Sequence, residues 1–256
     1  MKIATFNTNS IRSRAVIVSD WLAENKPDLL AVQETKAQDS DFPIEAFADS
    51  GYHVAFRGQK RYNGVALFSN RPVENVSYGL DDEPPDEPRL IRATVNDVHF
   101  VNTYVPQGTS PESDRFTYKL DWFKRLKKYF QTHFKPADKL IWLGDLNVAM
   151  EARDVHNAEQ VFGSVCYCPE AIAAIKDVMQ FGFTDTFRIH NQDDGQYTFW
   201  DYRVPNGFKR NMGWRLDYIM ATEPLAKKCI SCTVDRAPRE LIKPSDHTFL
   251  IAEFDI

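Results

Sequence analysis

Short runs of consecutive apolar residues, each closing on polar ones, alternate along this chain with stretches of helical spacing. Leu140–Leu143 is four large apolar residues in a row, the pattern of a strand buried on both faces. Gly144 stops it, and Asp145 and Asn147 follow two positions apart, where an extended backbone turns both side chains to one face. An Asx-type turn after the strand is the simpler alternative. The same device recurs elsewhere. Lys2–Phe6 is a short strand that delivers Asn7 and Asn9, and Leu29–Val32 is a buried strand followed by Gln33-Glu34-Thr35-Lys36. Between them the spacing of Ala15, Val18, Trp21 and Leu22 predicts a helix over 12–25, stopped by Pro27. Strand, helix and strand make a β-α-β unit.

Further on, His53–Phe56 and Val65–Phe68 form a predicted hairpin through the basic turn Arg57–Asn63, and Leu90–Val95 and His99–Tyr104 another through Asn96-Asp97. The acidic, proline-rich stretch 81–88 between them is expected to be a solvated loop. Phe116, Leu120, Phe123, Phe130 and Phe134 predict an amphipathic helix over 115–134 with a solvated basic face. Pro169 opens a helix running to about Phe181. The remainder is expected to be strand and loop, with strands at Tyr218–Ala221 and Phe249–Phe254. No internal repeat and no Gly-x-x-x-x-Gly-Lys phosphate loop is visible.

A chain of 256 residues, 43% hydrophobic and 13% aromatic, can bury a large core without disulfides. No Gly/Ser/Pro-rich linker divides it, so one domain over 1–256 is expected. No basic-then-apolar leader opens the chain and no apolar run approaches the roughly 18 residues of a membrane span, so a soluble, cytoplasmic protein without a membrane partner is expected. A net charge of −5 argues against a polyanion partner. It is a poor guide, however, where a site itself collects carboxylates for a cation. The bases also cluster, at Arg57, Lys60 and Arg61, at Lys124, Arg125, Lys127 and Lys128, and at Lys209 and Arg210, and such patches can track phosphates. Cys166-x-Cys168 and Cys229-x-x-Cys232 could make a zinc site, but no histidine sits at finger spacing, so part-buried reduced thiols are the expectation.

Asn7, Glu34, Tyr104, Asp145, Asn147, Asp217, Asp246 and His247 all stand where an apolar run begins or ends, as a site along one edge of packed sheets requires. Carboxylates without a cysteine or histidine cluster point to a hard divalent cation, magnesium or manganese. One histidine beside an aspartate points to an imidazole whose charge and orientation a carboxylate sets.

Six motifs, in order, carry a resemblance. Phe-Asn-x-Asn at 6–9, Gln-Glu-Thr-Lys at 33–36, Tyr-x-Pro-Gln-Gly at 104–108, Gly-Asp-x-Asn at 144–147, Trp-Arg-x-Asp at 214–217 and Ser-Asp-His at 245–247 resemble the exonuclease III family of abasic-site endonucleases. The resemblance implies an α/β fold, a four-layered sandwich of two packed mixed sheets flanked by helices. It implies magnesium-dependent hydrolysis of the phosphodiester 5′ to an abasic site, with 3′→5′ exonuclease and 3′-end-cleaning activity. The implied partner is double-stranded DNA carrying abasic sites or 3′ ends, engaged by a monomer.

By the same resemblance Glu34 is the main metal ligand, with Asn9 and Asp246 near the ion, and manganese is expected to substitute for magnesium. Asn7, Lys36 and Arg203 bind phosphate or substrate. Tyr104, Asp145, Asn147, Asp217 and His247 are catalytic, and either Asp145 or His247 takes the proton from water. Phe199, Trp214 and Leu216 form the abasic pocket. Position 9 carries Asn where the animal branch has Asp, so one metal is expected. The rival readings are a phosphodiesterase or phosphatase of the wider superfamily acting on a non-DNA substrate, and a non-catalytic DNA-binding member.

Overall fold

The computed structural model describes residues 1–82 and 87–256; part of the predicted 81–88 loop, residues 83–86, lies outside them. In chain order the strands begin with β1 (Lys2–Asn7), β2 (Leu29–Gln33), β3 (His53–Arg57), β4 (Val65–Ser69), β5 (Glu74–Tyr78) and β6 (Leu90–Val95). They continue with β7 (Val98–Tyr104), β8 (Leu140–Asp145), β9 (Phe183–Asp185), β10 (Asp217–Thr222), β11 (Cys229–Asp235) and β12 (Phe249–Phe254). The helices are α1 (Ile11–Asn25), α2 (Asp114–His133), α3 (Ala158–Val161), α4 (Pro169–Met179), α5 (Thr186–His190) and α6 (Glu223–Ala226). One six-stranded sheet runs β11-β12-β1-β2-β4-β3, the other β5-β6-β7-β8-β10-β9.

The period-two alternation of a strand explains the layering. Ile3, Leu29, Ala31, Val65 and Leu67 of the first sheet meet Ile141, Leu143, Phe100 and Ile219 of the second in an inter-sheet core. The alternate residues face outward. Ala4, Phe6, Leu30 and Val32 pack under Val18, Trp21 and Leu22 of α1, while Leu140, Trp142 and Tyr218 pack under Phe123, Leu126 and Phe130 of α2 and Ile175 of α4. Four layers result. The unbroken apolar runs at the chain's central strands are unbroken because both of their faces are covered.

The two sheets repeat one pairing scheme. β1 and β2 are parallel across α1, and β7 and β8 are parallel across α2. Each parallel pair is flanked by antiparallel neighbours, β12 and β4 in one sheet, β10 and β6 in the other. The repeat lies in topology, and no sequence repeat accompanies it. Its consequence is that the C-terminal ends of both parallel pairs and the N-terminal ends of β10 and β12 come together at one rim.

Three strands have no counterpart in the sequence reading: β5, β9 and β11. All three are sheet edges. The expectation of strand and loop alone after the 169–181 helix is also corrected by α5 and α6, each of five residues or fewer and too short to show a period.

Candidate active site

Backbone register aligns three of the expected catalytic residues. Tyr104 of β7 lies opposite Asp145 of β8, and Asp145 lies opposite Asp217 of β10. Gly144 permits this close fit: its φ is +132°, and a Cβ there would stand 2.0 Å from the Thr103 carbonyl oxygen of β7. From the other sheet, the Asn7 amide donates to Asp145 Oδ2 and to Glu34 Oε1, both at 2.8 Å. One side chain thus joins the two sheets at the rim.

The extended geometry expected after Asp145 is not what the chain adopts. Asp145 Oδ1 accepts the Asn147 N–H at 3.0 Å, and Asn147 has φ +51°. Asn7 Oδ1 likewise accepts the Asn9 N–H at 2.9 Å, with Asn9 at φ +44°. Both pairs are Asx turns, because a buried strand end must satisfy its next N–H locally. The turn still brings the Asn147 amide to 3.3 Å from Asp145 Oδ2.

His247 and Asp217 are buried together, and His247 Nδ1 donates to Asp217 Oδ2 at 2.8 Å. His247 Nε2 faces Asp145 Oδ2 at 3.7 Å. Burial disfavours the imidazolium, but the carboxylates of Asp217 and Asp145 outweigh it and raise the ring to about 10. Asp145 moves the other way from an ordinary acid. Its burial dominates, Asp217 and Glu34 add repulsion, and the carboxyl is pushed up to about 7 despite His247 and Asn7. Burial, with the charges of Glu34 and Asp145, pushes the Tyr104 phenol well above its ordinary value, so its O–H stays a donor.

Glu34 stands just past β2 at φ +48°. Its Oε2 lies 2.7 Å from the Lys36 ammonium, which also donates to Asn9 Oδ1 at 2.5 Å, while Asn9 Nδ2 donates to Asp246 Oδ1 at 3.0 Å. Burial raises the Glu34 carboxyl, yet Lys36 and the Asn7 hydrogen bond hold it below the usual range. Oxygens of Glu34 and Asn9 therefore already converge on one positive charge, with Asp246 one hydrogen bond away. That donor set fits a hard cation. Asp145, Asp217 and His247 also lie within 4.8 Å of one another. In that second cluster His247 Nδ1 is already engaged with Asp217 Oδ2. Lys36, expected on the phosphate, contacts Glu34 and Asn9 at the edge of the same cavity.

With this geometry, the endonuclease/exonuclease/phosphatase family matches over residues 4–247. The chain belongs to that family. Within it the chain stands in the exonuclease III branch. It is 29% identical to exodeoxyribonuclease III of Haemophilus influenzae over 99% of this chain and 100% of that one. An AP endonuclease from Archaeoglobus fulgidus superposes with a TM-score of 0.98 at 48% identity, covering 100% of both chains. The 3′ phosphatase NExo from Neisseria, solved with a product DNA hairpin, gives 0.95 at 35% identity, again over 100% of both.

The family motifs are tied together through the aromatic block. Phe199 exchanges backbone hydrogen bonds with Trp214 at 2.9 Å, Trp200 N–H reaches Asp246 O at 2.8 Å, and Thr248 N–H reaches Thr198 O at 2.8 Å. A cavity of about 320 Å³ opens here, lined by Glu34, Tyr104, Asp145, Asn147 and His247 on the polar side and by Phe199 and Leu216 on the apolar side. The Phe199 ring lies 4.8 Å from that of His247. Arg203 sits at the rim, its exposed guanidinium paired with Asp201. Trp214 is half-buried and packs beside Phe199 and Leu216 in the adjoining cluster.

Sequence reasoning missed the supports. Lys119, which the sequence did not single out, is wholly buried and donates to the carbonyls of Gln107, Asn147 and Val165 at 3.0, 2.7 and 2.7 Å. Gln33 donates to Asn102 Oδ1 at 2.7 Å across the two sheets. A groove of about 630 Å³ continues from Tyr104 past Arg89, Arg115, Tyr62 and Tyr118. The exposed aromatic Tyr62 beside bases was the one available signal. The four cysteines are buried, free thiols, and none joins a metal-holding group among the described residues.

Proposed function

We propose that this protein is a DNA repair nuclease, a single catalytic domain that hydrolyses the phosphodiester 5′ to an abasic site in duplex DNA. The same centre would trim 3′ ends. The observation that carries this reading is the position of Asp145. It is a buried carboxylate held by Asn7, aligned with Tyr104 and Asp217, and open to a small cavity whose far wall is Phe199 and Leu216. A base-free deoxyribose is small and partly apolar, and it reaches such a cavity most cheaply because no base pair must be broken to extrude it.

Asp145, pushed up to about 7, is poised to take the proton of the attacking water. His247, an imidazolium up to about 10, cannot serve as that base and instead offsets charge on the phosphorane-like transition state. The Tyr104 hydroxyl donates to a phosphate oxygen, and the Asn7 and Asn147 amides orient phosphate and water. Glu34, with Asn9 and Asp246, would hold one magnesium ion, manganese substituting. That ion would supply positive charge at the departing 3′ oxygen. Buried free thiols and the lack, among the described residues, of a helix long and apolar enough to cross a membrane are consistent with action in the cytoplasm.

The test uses end-labelled duplexes, one with a tetrahydrofuran abasic analogue and one intact, incubated with magnesium. A single incision 5′ to the analogue, well ahead of shortening of the intact duplex, is the expected product pattern. Equal ladders from both duplexes, or no cleavage, would overturn the abasic assignment.

A further inference from the structure

The three side chains that converge on a cation position sit on three separate loops: Asn9 after β1, Glu34 after β2 and Asp246 before β12. Backbone bonds tie the first two. Ser10 N–H donates to Glu34 O at 2.8 Å, and Ile11 N–H donates to Thr35 O at 3.0 Å. The turn they pin is strained, because Asn9 and Ser10 stand in succession at φ +44° and +96°. The third loop reaches the first through side chains. Ser245 Oγ donates to Asn7 O at 2.7 Å, and Asn9 Nδ2 donates to Asp246 Oδ1 at 3.0 Å.

Arg14 completes the connection. From the start of α1 its Nη1 donates to Asn9 O at 2.8 Å, and its Nη2 donates to Pro244 O at 2.8 Å and to Tyr202 Oη at 2.9 Å. Tyr202 Oη donates in turn to Pro244 O at 2.5 Å, and Tyr202 lines the same cavity as Asn9, Glu34 and Asp246. One guanidinium thus spans the Asn9 turn, the aromatic block and the segment that carries Asp246.

These three acceptors are uncharged oxygens, so ion pairing does not explain where the guanidinium sits. Its Nε is buried without a partner, which seats the group in the protein interior. A positive charge beside a cation position is unfavourable on Coulombic grounds alone. What it holds accounts for its place. A planar fork can aim at several oxygens at fixed angles, and a compact ammonium cannot.

We propose that Arg14 is a positioning residue, which sets Asn9 and Asp246 against Glu34 at the spacing a hard cation requires. This rests on the reading of Glu34, Asn9 and Asp246 as the cation site. Groups that orient ligands from behind are worth about 10–100-fold in metal affinity. The charge of Arg14 and its hydrogen bonds act in opposite directions on a bound cation, which makes the two separable.

The experiment measures terbium binding to the DNA-free protein by luminescence excited through tyrosine, since Tyr104 and Tyr202 both line the cavity. Arg14→Lys keeps the charge and loses the fork, whereas Arg14→Met loses both. Arg14→Lys should bind terbium about 10–100-fold more weakly than the parent. Arg14→Met should also bind more weakly but by a smaller factor, because removing the charge offsets part of the loss. Cleavage of the abasic duplex by Arg14→Lys should need correspondingly more magnesium.

Parental terbium affinity in Arg14→Lys, with or without a lower Tm, would overturn the proposal and leave Arg14 a purely structural tie. Tighter binding in Arg14→Met than in the parent would also overturn it, since Arg14 would then act as a charge alone. If Arg14→Met does not fold, Arg14→Lys decides. Parental terbium affinity in Glu34→Gln would overturn the cation-site reading itself, whatever the Arg14 variants do.

Discussion

His247 donates its Nδ1 proton to Asp217 Oδ2 at 2.8 Å, which leaves Nε2 as the nitrogen turned toward Asp145 and the cavity. The pair fixes both the tautomer and the charge of the ring. Losing either partner should reduce kcat far more than DNA affinity. Groups that act as a unit lose activity non-additively. His247→Ala with Asp217→Asn should therefore be no more than a few-fold worse than His247→Ala alone. Fully multiplicative losses in that cycle would show that the two residues work separately.

The same cluster sets the pH profile. Asp145 must be ionised to accept a proton, so kcat/KM should rise as pH increases through about 7. His247 must stay protonated, so activity should fall again as pH rises through about 10. Asp145→Asn should remove most activity. A parent whose activity is already at its plateau well below neutral pH would contradict the assignment of the base.

Metal dependence should trace to Glu34. Glu34→Gln keeps the shape but removes the charge that faces Lys36 and the proposed ion. Activity at low magnesium should drop sharply, on the order of 100-fold or more, as for loss of a transition-state charge stabiliser. Raised magnesium should restore part of it. An unaltered magnesium titration would point to the Asp145, Asp217 and His247 cluster as the ion's site instead.

The two aromatic positions should separate. Phe199 lines the cavity, so Phe199→Ala should relax the preference for abasic over intact duplex while Tm changes little. Trp214 is half-buried in the neighbouring cluster, so Trp214→Ala should cost about 2–3 kcal/mol, less than the ~3–5 kcal/mol of a fully buried tryptophan. Denaturant melts alongside paired substrate assays distinguish these outcomes. A Trp214→Ala protein of parental stability with altered substrate preference would move Trp214 into the pocket wall.

Stability in acid should depend on a second buried cluster. Arg215 lies wholly buried between Asp154 and Asp185, donating at 2.8 Å to each, and Arg188 adds a bond to Asp154 at 2.5 Å. Burial raises the Asp154 carboxyl, but Arg215 and Arg188 outweigh it and hold it below the ordinary value. Its contribution is then fully present above the unfolded value of about 3.9 and lost as pH falls through the lower folded value. Asp154→Asn should cost about 3–5 kcal/mol at neutral pH. Urea melts across the acid range should show a shallower acid-induced decline for the variant than for the parent. Parallel declines would show that Asp154 does not carry this effect.

Central strands and long helices were legible in the sequence because burial writes a pattern into side chains. Leu140–Leu143 had to be apolar throughout to meet α2 on one face and the other sheet on its second. The strand-end residues Glu34, Tyr104, Asp145, Asp217 and His247 were legible for the complementary reason, as polar groups set where such runs stop. The edge strands were not. β5, β9 and β11 gain their place from backbone hydrogen bonds offered by a neighbour, and only one face of an edge needs a side-chain pattern. β3, also an edge, was visible only through its hairpin with β4.

Tertiary structure alone decided the partners. Lys119 is a lysine on a helix by its position, and only packing against three carbonyls makes it a buried clamp under Asn147. Lys36 reaches Asn9, 27 positions away in sequence, because β1 and β2 lie side by side. The charges of Asp145 and His247 depend on exclusion from water and on each other across two sheets, and residue type carries neither. Sequence determined which residues reach the rim, since burial acts residue by residue. Which of them touch, and in what charge state, was settled by distances of a few ångströms that exist only once both sheets have packed.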